Sequence, residues 1–365
     1  MIYKLSRRIV IKFGGSSVRD SFDKALELVQ YLRENNNIVV VVSALKGVTD
    51  MLITLAENRE ESIMEKIKKV HEKIATELGI EIEHYFQELE FVFKHPEIFP
   101  SQEAYVDHMV SFGERLSAEL FSKALQNEGI PSVPVDAFYI IETCGNFGDS
   151  RVDLKSTAKK VWFLKKLLER EKIPVVTGFL GNYKGFRTTL GRGGSDYTAT
   201  VIASLLNAKA VAIMSDVNGI YTADPRVVKN ALLIPFVSYE EALLASKLGM
   251  KALHERTLEP IMNKVPVILG KTENWKLGSL ISVNSSGIPI IVYKRIRGSK
   301  TEISIVSTSK IEITTPEYPI YRHGKYYTSF LVDKNELEEA LNEIHEVVLN
   351  ESLSTGNDSE LWAGV

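Results

Sequence analysis

A near-continuous apolar run, NNNIVVVVSA at residues 35–44, constrains the fold more than any other feature. A strand without polar alternation is at home only where both faces are covered, as in a parallel sheet flanked by helices. The residues just before it complete such a unit. RRIVIKF (7–13) is a short β-branched run, GGSS breaks it, and SFDKALELVQYLRE (21–34) has helical spacing with Ala25, Leu28, Val29 and Leu32 on one face. Strand, glycine turn, helix and strand make a βαβ unit, and such units cross over right-handed in nearly all cases.

Residues from about 50 to 130 read as mostly helical and rich in Lys and Glu, as in REESIMEKIKKVHEK (59–73), whose charges fit a solvated helix face. Strand and helix then alternate again through IPSVPVDAF, VDLKSTAKKVWFLKKLLERE, IPVVTGFLG, TATVIASLLNA, AKAVAIMSDV and VPVILG. This grammar predicts an α/β class with a mostly parallel sheet covered by helices. RIRGSKT, around 296–301, reads as a linker, and beyond it the order becomes ββα: EISIV, KIEIT and YYTSFLV as strands, KNELEEALNEIHEVVL as an amphipathic helix. The polar tail from Asn350 reads as flexible, with Trp362 as a side chain that could dock.

A formal net charge of -3 argues against a nucleic-acid surface and for a small ligand met by a few local cations. The single cysteine, Cys144, excludes an internal disulfide and fits a reducing cytoplasm. The apolar IVI run near the N-terminus is cut short by Lys12, so neither a signal peptide nor a membrane span is expected. The histidines, His254 included, show no metal-ligand spacing.

Two glycine turns carry the chemistry. In KFGGSSV (12–18), Gly14 and Gly15 let backbone approach a ligand, the helix start offers free N–H groups to an anion, and Lys12 adds a charge. It is neither a Walker A loop nor GxGxxG, and an ordinary tight turn with a strand-end lysine before it would read the same. In LGRGGSDYTAT (190–200), Ser195 and Asp196 are good N-cap types, but capping alone does not call for Arg192 and three nearby glycines. SDVNGIYTADPR (215–226) follows an apolar strand, so Asp216, Tyr221, Asp224 and Arg226 stand where parallel sheets bind ligands; Asn218-Gly219 equally explains a plain bend. SFGERLSAEL (111–120) contains Ser111-x-x-Glu114, which reads as a capping box or as a carboxylate for an amino group. Lys251 in GMKALH follows a helix and could be a surface lysine.

Taken in order, KFGGSSV, VVVVSALKGVTD, SFGERLSA, TGFLGNYKGFRTTLGRGGSDYTAT, SDVNGIYTADPR, SYEEALLASKLGMKALHERTLEP and STSKIEI resemble the aspartate kinases of the amino-acid kinase superfamily, over roughly residues 8–313. That resemblance implies a three-layer αβα sandwich with an eight-stranded mostly parallel sheet, and ATP-dependent phosphorylation of the side-chain carboxylate of L-aspartate. It implies Lys12 as the catalytic cation, with Asp196 organising it, and Gly14, Gly15 and Ser16 on the phosphates. Arg192 would pair with a substrate carboxylate and Glu114 with the ammonium, while Ser43, Thr49, Phe179 and Ser195 complete the pocket. Ser215, Asp216, Tyr221, Arg226 and Lys251 would line the nucleotide site, with Mg²⁺ carried mainly by ATP. Phosphoryl transfer of this kind needs positioning and charge stabilisation rather than a covalent enzyme intermediate.

The sequence departs from the family at Ser215 (usually Thr), Glu255 (usually Pro) and Lys271-Thr272 (usually Asn-Thr). Its C-terminal part resembles only the later portion of one ACT domain, with TTPEYPIYRHGK inserted. The expected division is therefore a kinase domain over 1–296 (helical substrate side about 46–130), a partial ACT-like ββα unit over 297–350 and a flexible tail over 351–365. That remnant would cover sheet edges or pair subunits in a homodimer or higher homo-oligomer, with no nucleic acid or membrane partner. Two other functions stay open: a kinase of the same fold acting on another acceptor such as homoserine, and a non-catalytic amino-acid-sensing subunit.

Overall fold

The computed structural model describes residues 7–296, 298–308 and 318–355, the last five by backbone alone. Its main sheet has eight strands in the order Phe236–Ser238, Lys276–Ser282, Val267–Lys271, Ala210–Ser215, Arg8–Phe13, Asn37–Val42, Ile173–Thr177, Ser132–Val135. Six of the neighbouring pairs run parallel. The apolar run of residues 38–42 is fully buried near the middle of this sheet. Each of its valines contributes about 1.5–3 kcal/mol of burial, which explains why the run tolerates no polar alternation.

The chain divides into two compact units, residues 1–217 with 256–277, and residues 218–255 with 278–365. In the first, helices Val48–Asn58, Ser62–Leu78, Glu83–Lys94 and Gln102–Asn127 form the expected helical region. Gln102–Asn127 packs on Ser132–Val135, Ile173–Thr177 and Asn37–Val42, and Gly194–Leu206 packs on Arg8–Phe13 and Ala210–Ser215. Their core joins Ile11, Phe13, Val40, Leu52, Phe112 and Phe121, with Phe13 stacked on Phe121 at 5.4 Å.

In the second unit an antiparallel sheet runs Ile290–Arg295, Lys300–Val306, Tyr327–Asp333, Ile320–Gly324, and helix Leu337–Thr355 belongs with it. Its core, built on Ile291, Ile303, Phe330, Leu341 and Ile344, also takes in Ala223 and Val228. The segment around Thr222 is tied in the same way: the Leu232 N–H donates to Thr222 Oγ1 (2.9 Å), which lies 2.8 Å from His345 Nε2.

Several expectations change here. Of the residues read as a linker near 296–301, Lys300 and Thr301 belong to a strand paired with Ile290–Arg295, and the Ile296 N–H donates to the Lys300 carbonyl (3.3 Å), so the division expected at 296 falls inside one sheet. Part of the supposed insertion forms the edge strand Ile320–Gly324, and the helix runs past the expected tail boundary to Thr355. The expected strand KIEIT and residues 356–365, with Trp362, lie outside the described residues.

Candidate active site

Lys12 is the penultimate residue of strand Arg8–Phe13 and faces Val41 and Ile213 in the two parallel neighbours. The register delivers its side chain to the carboxyl end of the sheet, where such sheets bind ligands. It is almost buried, and its Nζ sits 2.6 Å from Asp196 Oδ1. Asp196 lies in the first turn of helix Gly194–Leu206, whose N-cap is Gly193 in the left-handed region (φ 71°) with no side-chain cap. Ser195 and Asp196 are thus not caps, contrary to their residue types. The missing cap leaves the first N–H groups of the helix to a ligand.

The first turn is pinned by backbone: the Gly14 N–H donates to the Met214 carbonyl (3.0 Å) and the Lys46 N–H to the Gly15 carbonyl (3.1 Å). A Cβ on Gly15 would lie 2.6 Å from the Ala44 carbonyl oxygen, whereas one on Gly14 would meet nothing closer than 3.6 Å. Gly15→Ala should therefore cost about 1–3 kcal/mol in urea unfolding, and Gly14→Ala much less. Equal losses at the two positions would contradict this account of the turn. Ser17, buried beneath the turn, holds the following segments through Thr272 Oγ1 at 2.6 Å, and the Thr272 N–H donates to the Ser215 carbonyl (3.0 Å). Ser16, next to it, is only partly buried.

Around this ion pair lies a cavity of ≈ 260 Å³ lined by Lys12, Ser43, Thr49, Glu114, Phe179, Ser195, Asp196 and the glycines 191, 193 and 194. Every pocket residue expected from the resemblance lines it except Arg192, which stands exposed on the turn. Glu114 sits mid-way along helix Gln102–Asn127, whose N-cap is Ser101, its side chain accepting from the Ala104 N–H. The capping-box reading of Ser111 and Glu114 is thereby wrong: the Ser111 hydroxyl donates instead to the His108 carbonyl (2.6 Å). Glu114 is 3 % exposed, and its Oε1 accepts from the Ala44 N–H (3.1 Å), while among the described residues Oε2 has no hydrogen-bond partner. Burial pushes the Glu114 carboxyl up to about 8, against the pull of the Ala44 N–H and Lys12. A buried carboxylate with one oxygen unanswered in a polar cavity is built for a cationic donor.

Two features carry no signal in residue type: the backbone of Phe179, which lines the cavity, and the hydrogen bonds of Asp107. Phe179 holds a left-handed backbone (φ 67°), fixed by its N–H to Thr198 Oγ1 (3.0 Å) and its carbonyl to the Leu190 N–H (2.9 Å). A bulky residue there stores strain, which concentrates at functional sites. Asp107, buried on the helix that bears Glu114, accepts from the Gly148 N–H, the Thr188 hydroxyl and both the N–H and hydroxyl of Thr189 (2.7–3.0 Å). Burial raises its carboxyl despite these donors.

The residues expected at the nucleotide fall in both units. Ser215 ends strand Ala210–Ser215, its backbone beside Gly14, and Asp216 follows it, exposed. In the second unit, Arg226 Nε and Nη2 bind Asp224 at 2.9 and 2.7 Å, and Lys251 Nζ lies 3.4 Å from Asp224 Oδ2. Arg226, then Lys251, hold the Asp224 carboxyl well below the usual range. Tyr221 pairs with Leu233 in an isolated bridge in the same unit. Among the described residues no group of three or more His, Cys, Asp or Glu could hold a metal ion.

This geometry of glycine turns, lysine–aspartate pair and carboxylate-lined cavity lies within residues 7–271, the stretch that matches the Amino acid kinase family. The chain belongs to the amino acid kinase family. Curated relatives of this amino acid kinase include the lysine-sensitive aspartokinase 3 of Escherichia coli K12, 33% identical over 78% of this chain and 66% of its own length. The aspartokinase of Chlamydia trachomatis serovar D is 34% identical over 75% of this chain and 64% of its own. The chain thus spans just under two thirds of the length of these relatives. Among solved structures, E. coli aspartokinase III in complex with aspartate and ADP superposes with a TM-score of 0.83, at 23% identity, over 94% of this chain and 100% of that one. At that identity the likeness shows the fold: the eight-stranded, mostly parallel sheet with helices of the amino-acid kinases. No helix of the described residues is long and apolar enough to cross a membrane.

Proposed function

We propose that this amino acid kinase transfers the γ-phosphoryl group of ATP to the side-chain carboxylate of L-aspartate, giving 4-phospho-L-aspartate for amino-acid biosynthesis in the cytoplasm. The observation that carries it is the cavity in which the Lys12–Asp196 pair and the unanswered oxygen of Glu114 stand together. At ≈ 260 Å³ it lies below the range of about 300–1,000 Å³ for drug-sized ligands, as suits a small amino acid. Glu114 takes the substrate ammonium; Ser43, Thr49 and Ser195 offer hydroxyls, and Phe179 an apolar wall. Arg192 engages a substrate carboxylate from the exposed side of its turn, bidentately as its planar fork favours.

Lys12, oriented by Asp196, neutralises charge on the transferring group; the N–H groups of Gly15 and Ser16 hold phosphate oxygens, and Gly14, its own N–H taken by Met214, leaves bare backbone beside them. Ser215, Asp216, Tyr221, Asp224, Arg226 and Lys251 serve the nucleotide. Asp216 is a single exposed carboxylate, which fits Mg²⁺ bound mainly by ATP, since Mg²⁺ in such sites takes one or two carboxylates plus phosphates. That ion would neutralise charge on the phosphates. The second unit's four-stranded sheet and helix are read as a reduced ACT-like unit that joins copies of the chain. The test of the acceptor is turnover with aspartate and homoserine side by side in the presence of MgATP. Aspartate is expected to be turned over and homoserine not; turnover of homoserine alone would reassign the acceptor.

A further inference from the structure

Lys251 follows helix Tyr239–Leu248 through Gly249, and its long side chain is about half exposed. Left to itself such a lysine samples many rotamers, and a cation that must meet phosphate pays for ordering. Here one residue meets it twice over. Lys251 Nζ donates to Tyr293 Oη at 2.7 Å and lies 4.5 Å from the centroid of the Tyr293 ring. The turn before it closes on the same residue: Gly249 has φ 123°, and a Cβ there would overlap the Tyr293 carbonyl oxygen. Tyr293 is fixed in strand Ile290–Arg295, paired with Ile303. Its hydroxyl also lies 3.3 Å from Asp224 Oδ2, the carboxylate that Arg226 grips.

We propose that Tyr293 is a positioning residue for nucleotide binding, holding the Lys251 ammonium ready for a phosphate. This rests on the nucleotide assignment made above. Asp224 cannot do this alone, because a phosphate competes with it for the same cations, and its Lys251 contact is the longer one at 3.4 Å. Tyrosine is neutral and takes one of the three ammonium protons, leaving the others to phosphate oxygens. The ring face adds attraction without adding a competing anion. Its hydroxyl can donate to Asp224 while accepting from Lys251, so the cluster stays satisfied when the ammonium shifts to phosphate.

Calorimetric titration with MgADP tests this in the full chain. Tyr293→Phe, which keeps the ring, is expected to weaken MgADP binding by about 10-fold and raise KM for ATP in parallel, with KM for aspartate and Tm little changed. In a Lys251→Met background the same substitution should have no further effect, because the residue acts through that ammonium. MgADP binding unchanged in Tyr293→Phe, or weakened equally with and without Lys251, overturns the proposal while the nucleotide assignment stands. Wild-type protein that binds no MgADP would overturn the assignment itself.

Discussion

Lys12→Ala is expected to lower kcat by about 10³-fold or more, the scale on which a single preorganised charge at a transferring phosphoryl group acts. The reason is geometric. Among the described residues Lys12 is the one cation lining the cavity, nearly buried, and Asp196 fixes its Nζ at 2.6 Å. Removing one partner of such a pair leaves an uncompensated charge, at a cost of about 3–5 kcal/mol, so inactivity could simply reflect unfolding. The double variant Lys12→Met/Asp196→Asn removes both charges and separates the two effects. It should regain most of the Tm lost in Lys12→Ala and remain as inactive. Recovered activity in the double variant, or an active Lys12→Ala enzyme, would contradict the assigned role.

Glu114→Gln should raise KM for aspartate by about 10²-fold, because the ammonium then meets an amide in place of a carboxylate. The same substitution reports on stability. The Glu114 carboxyl stands at about 8 in the folded chain, above its ordinary value of 4.5. Below 4.5 both folded and unfolded chains hold the proton. Between about 4.5 and 8 only the folded chain does, so its stability falls as pH rises through that window, by about 1.4 kcal/mol per unit of pKa difference. Above that window the contribution is flat. Glu114→Gln should remove this fall and be more stable than wild type at pH 8 in urea unfolding. Binding of aspartate near pH 7 should release a proton from wild type and none from Glu114→Gln, measurable by calorimetry in buffers of different ionisation enthalpy. Parallel pH–stability curves would show that Glu114 is already ionised.

The core was legible because its pattern has one physical solution. Val39 to Val42 are buried on both faces, and only a helix-covered parallel sheet permits that. The glycine turns were legible too, since Gly15 admits no side chain against Ala44. Spacing alone did not show that Ser43, Glu114, Phe179 and Ser195 share a cavity. They sit on separate segments that only the sheet brings together, and the family resemblance gathered them where periodicity could not. Ser111 and Glu114 misled because a capping box is a local signature, and the helix they lie in starts at Ser101, ten residues earlier.

Other features were hidden for equally definite reasons. Phe179 is a residue type that avoids the left-handed region, so nothing in its identity announced φ 67°. Ile320–Gly324 passed for an insertion because an edge strand with mostly exposed residues has no buried alternation to read. Tyr293 lies beyond residues 7–271, the stretch that matches the family, and meets Lys251 only through the fold of the second unit.

The most direct measurement is product capture: purified chain with ATP, Mg²⁺ and L-aspartate in hydroxylamine, which converts an acyl phosphate to the hydroxamate. Aspartyl hydroxamate should accumulate in step with ADP, only when all three are present, and be lost in Lys12→Ala. ADP release that ignores aspartate, or no hydroxamate from an enzyme that binds MgADP, would contradict phosphoryl transfer to the aspartate carboxylate.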